Sequence, residues 1–131
     1  MIKLELIAPS DLTEADIRWL FHGCKEAVDG ASAVDQVKAA VAGTSGIYRI
    51  SGNAQGIVVL SKNGEGQTIT CLAGKGLFRE FHNVHEAILV AAAAGGAKFV
   101  DGYVTRTGLA LMYKKRTRAK VAEYFKEEIL V

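Results

Sequence analysis

The chain has 131 residues, of which half are hydrophobic and 23% are charged, with a formal net charge of +2 at pH 7. This length and composition are typical of one folded domain with its own core, and they exclude an intrinsically disordered chain. The small net charge does not by itself predict nucleic acid or an anionic membrane as a partner. Cys24 and Cys71 are too few for a disulfide framework, so we expect two free thiols in a reducing compartment.

The sequence predicts neither export nor a membrane span. Lys3 and Glu5 interrupt the apolar residues at the start, which is not typical of a signal peptide. The longest apolar stretch, residues 87–94, is far shorter than the roughly 20 residues that a membrane-spanning helix needs. We therefore expect a cytoplasmic location and no membrane partner.

The chain begins with a predicted strand and a predicted helix. Residues 1–8 alternate between apolar and polar side chains, as in a half-buried strand, and Pro9 ends the pattern. Asp11 and Glu14 have the spacing of a helix capping box, with Asp in place of Ser or Thr. Apolar residues then recur at helical spacing and predict a helix over residues 12–28.

A second start signal, Ser32 with Asp35, predicts a shorter amphipathic helix that ends before Gly43. The period of the pattern then changes to short β-branched or aromatic runs separated by turn sequences. Three antiparallel strands in a meander are the simplest interpretation. These strands cover residues 46–51, 55–61 and 67–73.

A long helix is predicted over residues 78–94, where an apolar stripe is followed by two glycines. A strand over residues 98–104 and a short helix over residues 109–115 come next. Residues 118–131 fit two interpretations, because their apolar residues match both strand alternation and a helix face, while intrinsic propensity favours helix.

The predicted order is β-α-α-β-β-β-α-β-α, and a last element completes it as β-α-α-β-β-β-α-β-α-β if residues 118–131 are a strand. Strands and helices mixed in this way predict an α+β layered fold with helices covering a central sheet. The sequence contains no internal repeat, low-complexity segment or linker, which indicates a single domain over residues 1–131.

Residues 71–76 read C-L-A-G-K-G at the junction of the third meander strand and the long helix. Glycines at 74 and 76 would let the backbone approach a phosphate closely, and the N–H groups at a helix start attract anions. Lys75 would add a positive charge. The same two glycines also fit an ordinary turn between a strand and a helix.

This order of elements and this loop resemble the GNAT superfamily of N-acetyltransferases. Its pyrophosphate loop has the form Q/R-x-x-G-x-G/A between the fourth strand and the third helix. The resemblance implies a GNAT-like mixed central sheet and acetyl-coenzyme A as cofactor, with its pyrophosphate held by Gly74, Lys75 and Gly76. It also implies that the pantetheine arm bonds to splayed fourth and fifth strands, near residues 70–73 and 101–104, and that the acyl group passes to a small-molecule or protein amine.

Residues 109–118 (L-A-L-M-Y-K-K-R-T-R) resemble a pattern of the family's fourth helix, A-x-x-L-Y-x-x-x-G-F. The match places Tyr113 where that pattern has its tyrosine. The resemblance implies that Tyr113 is the general acid that protonates the leaving thiolate, since the ordinary pKa values of a phenol and a thiol are close. A tyrosine that only packs at the sheet edge fits the same pattern.

The sequence also departs from the family. Cys71 replaces the Gln or Arg that opens the loop, Thr117 and Arg118 replace the Gly-Phe, and the segment between the loop and the next strand is several residues longer than usual. Short GNAT-like proteins of bacteriophages are similar in having a G-K-G-like loop and a lengthened region of the third helix. Two hypotheses follow: an N-acyltransferase, in a bacterium or an infected host cell, or a GNAT-fold protein without catalysis that acts as a structural or interaction protein, such as a virion component.

No motif identifies a general base. The candidates are Glu80, His82, His85, Glu86 and Asp101. His82, His85 and Glu86 lie one helical turn apart and could ligate a metal, but a polar helix face explains them more simply, and we predict no metal site. Cys71 is expected to be a buried strand thiol and not a nucleophile.

Five cations lie within seven residues near the end of the chain. They are Lys114, Lys115, Arg116, Arg118 and Lys120. This basic cluster fits contact with the 3′-phosphate of coenzyme A, with an acidic protein or with nucleic acid, and it also fits a solvated helix end. Because the overall charge is nearly balanced, nucleic acid is the least favoured of these partners. The sequence is compatible with an oligomer.

Overall fold

The computed structural model describes residues 1–24, 32–103, 112–113, 115–116 and 124–129. These residues form a six-stranded mixed sheet with helices packed on both faces, so the predicted α+β architecture is confirmed. The strands are β1 (Ile2–Leu6), β2 (Ser45–Gly52), β3 (Gln55–Asn63), β4 (Gly66–Lys75), β5 (Phe99–Tyr103) and β6 (Tyr124–Glu128). The helices are α1 (Glu14–Cys24), α2 (Ala33–Val41) and α3 (Phe81–Ala94), preceded by a 3-10 turn at Pro9–Asp11.

The strands lie side by side in the order β1-β2-β3-β4-β5-β6. All neighbouring strands are antiparallel except β4 and β5, which are parallel. A parallel pair needs a crossover, and α3 provides it between β4 and β5. No helix in the part of the chain described above has the length and apolarity to cross a membrane.

The sheet has an apolar core on each face. On one face, α3 residues such as Ile88 pack with Val58 and Val100 of the sheet. On the other face, α1 and α2 cover a second cluster that includes Leu20 and Ile57. Because β3 is buried on both sides, its sequence is a continuous apolar run and does not alternate.

Of the capping boxes predicted for the first two helices, one is present in the structure and the other is not. Ser32 and Asp35 form the capping box predicted for α2. The box predicted at Asp11 is wrong, because Asp11 lies in the 3-10 turn and α1 begins at Glu14. Thr13 and Asp16 instead exchange the capping bonds of α1: the Thr13 N–H lies 2.9 Å from Asp16 Oδ2, and the Asp16 N–H lies 3.2 Å from Thr13 Oγ1.

The long helix starts later than its apolar pattern predicts. α3 begins at Phe81, and residues 77–80 form a turn before it. Leu77 is buried in this turn, whereas Phe78, which the prediction assigned to the buried stripe, is 59% exposed. A turn of this kind can bury an apolar residue without continuing the helical period, and periodicity alone could not detect it.

The ambiguous tail contains a strand. β6 pairs antiparallel with β5 and places Phe125 in the core beneath α3. Pairing with an existing strand decides between the two interpretations, because it satisfies the backbone and buries Phe125 together. Of the predicted helix over residues 109–115, Met112, Tyr113 and Lys115 are helical, and the other residues lie outside the described part of the chain.

Candidate functional site

In the described residues β4 and β5 pair at three positions only, and the unpaired side of β4 beyond them is the gap between these strands. The paired residues are Gln67 and Val100, Thr68 and Asp101, and Ile69 and Gly102. Beyond Ile69, β4 continues to Lys75 with β3 as its partner, and no described residue pairs with it on the β5 side. The backbone groups of β4 that face this gap can therefore bind an extended ligand arm as an added strand would.

A β-bulge lies where the gap begins. The β3–β4 register joins Val59 to Cys71 and Leu60 to Ile69. Thr70 is therefore an extra residue in β4. Its hydroxyl donates to Gln36 Oε1 at 2.9 Å, and Gln36 Nε2 donates to the Thr70 carbonyl oxygen at 3.3 Å. The buried Gln36 of α2 thus holds the bulge from the face opposite α3, a contact that no sequence motif indicated.

Gly74 and Lys75 lie in β4 and not in a loop, so the predicted end of the strand at residue 73 is wrong. Gly74 pairs with Gly56 of β3. A Cβ atom on Gly74 would lie 2.2 Å from the Gln55 carbonyl oxygen and 2.9 Å from Gly56 Cα. The close approach of β3 therefore requires glycine at position 74, whether or not a phosphate binds nearby.

Gly76 begins the turn that connects β4 to α3. Its φ of +80° is a left-handed conformation that favours glycine. The Glu80 N–H closes the turn on the Gly76 carbonyl oxygen at 3.1 Å. The N–H groups of residues 77–79 donate to no acceptor among the residues that the structure describes. Such consecutive free N–H groups, next to the start of a helix, can bind an anion.

Two cations and one anion surround this turn. Lys75 and Arg79 are exposed, and Arg79 Nη2 donates to the Asn53 carbonyl oxygen at 3.4 Å. Glu80 immediately precedes α3 and accepts a hydrogen bond from Asn83 Nδ2 at 2.9 Å. A carboxylate here stabilises the helix start, but it would compete with a phosphate for the same N–H groups and dipole.

Tyr113 is buried in the core beneath α3, with 2% of its surface exposed. Its ring stacks on Phe125, with centroids 4.0 Å apart, and meets Phe81 and His85 edge-on at 4.8 and 5.0 Å. Burial raises the pKa of the Tyr113 hydroxyl well above its usual value, so the phenol stays protonated. The ring contacts are sufficient reason for an aromatic residue here, and the acid role of Tyr113 stays a prediction.

Cys71 is buried under α1, as its strand position predicted. A Cβ atom on Gly23 of α1 would lie 2.6 Å from Cys71 Sγ, so the helix packs directly on this thiol. Burial, with a smaller effect of the Cys24 thiol, raises the pKa of Cys71 far above its usual value. Cys71 is therefore a neutral core thiol and a poor nucleophile.

His85 is fully buried among aromatic rings. It stacks on Phe81 at 5.9 Å between centroids and meets Tyr113 and Phe125 edge-on. Neither ring nitrogen has a hydrogen-bond partner within the described residues, although Glu127 Oε1 lies 3.4 Å from Nε2. Burial lowers the pKa of His85 to about 4 against the opposing effect of Glu127, so the imidazole is neutral near pH 7.

A charged network connects β6 to α3 beside His85. Arg116 donates to both oxygens of Glu127, at 2.8 and 3.1 Å, and also contacts the carboxylate of Glu86. Burial alone would raise the pKa of Glu127, but the hydrogen bonds from Arg116 hold it below its usual value. The sequence did not indicate this network, because its members are far apart along the chain.

The basic cluster is only partly described. Arg116 forms ion pairs with the carboxylates of Glu86 and Glu127, and Lys115 is exposed. Lys114, Arg118 and Lys120 lie outside the described residues. The role of the cluster in partner binding stays a prediction.

Asp101 is the candidate base that lies nearest the gap, since its pair with Thr68 directly precedes the last pair of β4 and β5. It is 5% exposed and accepts hydrogen bonds from Thr68 Oγ1 at 2.5 Å, Tyr124 Oη at 2.8 Å and Asn63 Nδ2 at 3.4 Å. Burial and the hydrogen bond to Asp101 raise the pKa of Tyr124 to about 12. Tyr124 therefore stays a proton donor to Asp101 at neutral pH.

The other candidate bases do not converge on one point. His82 and Glu86 are exposed on α3, whereas His85 faces the core. Among the residues in the described ranges, no three His, Cys, Asp or Glu side chains are arranged to hold a metal ion.

Comparison of the structure with solved structures finds GNAT-like proteins. A protein assigned to the GNAT family of acetyltransferases from Desulfovibrio desulfuricans superposes with a TM-score of 0.64 over 99% of this chain and 100% of its own, at 6% sequence identity. Two variants of a cAMP-binding acyltransferase from Mycobacterium smegmatis superpose over 99% of this chain, with TM-scores of 0.57 and 0.56 at 13% and 12% identity. This chain spans 44% and 45% of those two chains.

No protein-family model and no curated protein sequence matches the chain. At identities this low, the structural likeness establishes the fold and not the activity. The protein has the GNAT acetyltransferase fold.

Proposed function

We propose that the protein is an N-acyltransferase that uses acetyl-coenzyme A and passes the acetyl group to an amine. The observation that carries the proposal is that no described residue pairs with β4 on its β5 side beyond Ile69, on a sheet of GNAT topology. The gap leaves backbone groups of β4 available to the pantetheine arm, and the bulge at Thr70 is fixed by Gln36.

The turn after Gly76 fits the pyrophosphate of the same ligand. The N–H groups of residues 77–79 are without acceptors among the described residues, and Lys75 and Arg79 are exposed beside them. Gly76 provides the left-handed turn that precedes these groups. We assign Gly74 a structural role in β3–β4 packing and keep Lys75 and Gly76 as cofactor-binding residues.

Bound acetyl-coenzyme A would supply a thioester carbonyl for attack by the amine. Tyr113 is the proposed general acid for the leaving sulfur because it matches the tyrosine of the family's fourth-helix pattern; its phenol is protonated at neutral pH, and burial makes it a weaker acid than a free phenol. Arg116 and Glu127, which lie close to His85 in the same core, would fix the segment that carries Tyr113. The buried thiol of Cys71 leaves the reaction to direct transfer, without a covalent acyl-cysteine.

Calorimetric titration with acetyl-coenzyme A tests the proposal. Saturable binding is expected, and the absence of binding at millimolar ligand would contradict an acyltransferase and favour a non-catalytic interaction protein. An acetylation assay with a panel of amines then separates a binding protein from an enzyme.

Charge variants test the assignment of the pyrophosphate site. The Lys75→Gln, Arg79→Gln double variant should weaken binding about fivefold or more, because it removes two positive charges near the phosphates. Glu80→Gln should strengthen binding by about two- to fivefold, because it removes a competing anion at the start of α3. Lys62→Gln, which removes an exposed lysine near the β3–β4 turn, is the matched control and should change little.

A further inference from the structure

The buried carboxylate of Asp101 lies beside the gap between β4 and β5, and no cation among the described residues pairs with it. The described residues contain two buried carboxylates, Asp16 and Asp101. Asp16 is paired with Arg49 at 2.7 and 3.1 Å, whereas Asp101 is held by three neutral donors. Burial of a carboxylate is costly without a compensating positive charge. The difference points to a cation that a ligand would bring to Asp101.

The lysine opposite Asp101 on β6 makes its contacts elsewhere. Lys126 of β6 is the cross-strand partner of Asp101. Its Nζ lies instead 4.2 Å from the centroid of the Phe99 ring and 3.6 Å from Glu128 Oε1. Lys126 lies opposite Asp101 and could neutralise its charge, but its ammonium group contacts Phe99 and Glu128 instead.

Two tyrosines lie next to Asp101. Tyr103 is 58% exposed, and its ring centroid is 5.0 Å from that of the half-buried Tyr124 at an interplanar angle of 47°. Strand alternation places both rings and Asp101 on the sheet face opposite α3, because Val100 and Phe125 between them face the α3 core. On that face α1 and α2 pack against β2, β3 and β4. Aromatic rings beside a carboxylate attract an organic cation by cation–π interaction.

We propose that Asp101, Tyr103 and Tyr124 bind the ammonium group of the acceptor, so that the acceptor is an aliphatic amine that is cationic at neutral pH. That the bound amine is the acceptor rests on the proposed acyl transfer. The cation site itself rests on the geometry of these three side chains. Asp101 would accept a charge-assisted hydrogen bond, and the two rings would contact the alkyl carbons and the charge. The hydrogen bond from Asn63 is the longest of the three to Asp101, and it is the one that the ammonium would replace.

The test uses the full chain with ¹³C-labelled tyrosine rings and observes binding without turnover. The probe is n-butylammonium, and n-butanol is the uncharged control of the same shape. The ring signals of Tyr103 and Tyr124, identified with Tyr103→Leu and Tyr124→Leu, should shift saturably with n-butylammonium and not with n-butanol. Equal shifts with both probes, or no saturable shift with either, would overturn the cation site.

Variants then assign the binding to Asp101. Asp101→Asn should weaken n-butylammonium binding by about tenfold or more. Tyr103→Leu, a change of an exposed side chain, should weaken it several-fold and keeps the test decisive if Asp101→Asn does not fold. Glu65→Gln removes an exposed carboxylate at the β3–β4 turn, which pairs with Lys98, and should leave the affinity unchanged. An Asp101→Asn or Tyr103→Leu affinity equal to that of the parent chain would refute the assignment.

Acetyl-coenzyme A titrations of the same variants separate this inference from the proposed function. If acetyl-coenzyme A binds and n-butylammonium does not, the amine site is refuted and the cofactor site stands. If only n-butylammonium binds, the cation site stands and the acyltransferase is refuted.

Discussion

At the scale of single residues, burial determines the chemistry of the titratable side chains in the core beneath α3. His85 and Tyr113 pack against one another there, and both are held in their neutral forms. Their neighbours Phe81 and Phe125 exclude water on either side. A histidine in a helix pattern gave no sign of this, because His82, three residues earlier on the same helix, is exposed and not buried.

His85 should make stability fall as the pH falls. Its pKa is about 4 in the fold and about 6.5 when unfolded, so the unfolded chain binds the extra proton between those values. The stability that neutral His85 contributes is complete above about pH 6.5 and is lost progressively towards pH 4, by on the order of 3 kcal/mol. Urea denaturation at several pH values measures this loss.

Two variants serve as controls for the His85 prediction. His85→Phe keeps an aromatic ring among Phe81 and Tyr113 and should reduce the pH dependence between pH 6.5 and 4. His82→Gln, at an exposed position on the same helix, should leave it unchanged. A pH profile of His85→Phe identical to that of the parent chain would disprove the assignment.

Tyr113→Phe tests the acid role. The ring stack on Phe125 is retained and only the hydroxyl is lost, so acetyl-coenzyme A affinity should change little. The turnover number should fall by about 10²-fold, within the usual range for a general acid. Turnover equal to that of the parent chain would show that the phenol serves packing alone.

At the scale of elements, packing contacts of α1 and β4 explain why residues of the predicted cofactor loop have the identities they have. Gly74 is required by the approach of β3, and Cys71 is shielded by α1. α1 is itself attached to the sheet by Asp16, which caps its start and binds Arg49 of β2. The hydrogen bond from Arg49 lowers the pKa of Asp16 in spite of burial, so the carboxylate remains charged in the fold.

Asp16→Asn should destabilise the protein by about 2–4 kcal/mol, because it removes a cap and leaves Arg49 without its main partner. The matched control is Glu14→Gln on the same helix. Glu14 pairs with Arg18 at 2.6 Å, but its side chain is 81% exposed, so the loss should stay under about 0.5 kcal/mol. Chemical denaturation of both variants measures the difference, and equal losses would contradict the role of the buried pair.

At the scale of the whole molecule, the fold brings the gap, the turn after β4 and the cluster around Asp101 to neighbouring parts of one sheet. β4 takes part in all three: Thr68 contacts Asp101, the gap opens after Ile69, and Lys75 leads into the turn. A ligand that spans the gap and the turn would therefore connect α3 to the sheet. Binding of such a ligand is expected to stabilise the whole domain and not one element.

Acetyl-coenzyme A should raise the thermal unfolding temperature, by an amount that grows with the logarithm of its free concentration divided by its dissociation constant. At a free concentration 100 times its dissociation constant, a ligand that binds only the folded chain adds about 2.7 kcal/mol. Differential scanning calorimetry measures the shift, and adenosine at the same concentration is a control without pyrophosphate or pantetheine. Absence of a shift at a concentration that saturates the calorimetric titration would contradict binding to the folded site.

The sequence by itself determined the order of elements and much of the core. Periodicity located the strands of the meander and the long helix, because alternation and the 3.6-residue repeat are local consequences of burying one side of an element. Ser32 and Asp35 were sufficient to place the start of α2, since a capping box is formed by residues three apart. The buried state of Cys71 followed from its place in a strand.

Only the tertiary structure decided the features that depend on residues distant in sequence. The strand at Tyr124–Glu128 needed β5 as a partner, and the glycine at position 74 needed the backbone of β3. The end of the described β4–β5 pairing at Ile69 depends on how two strands meet, and the setting of Asp101 depends on side chains from three other strands. Local patterns record which side of an element is buried, whereas hydrogen-bond partners and close backbone contacts are fixed only when the elements pack together.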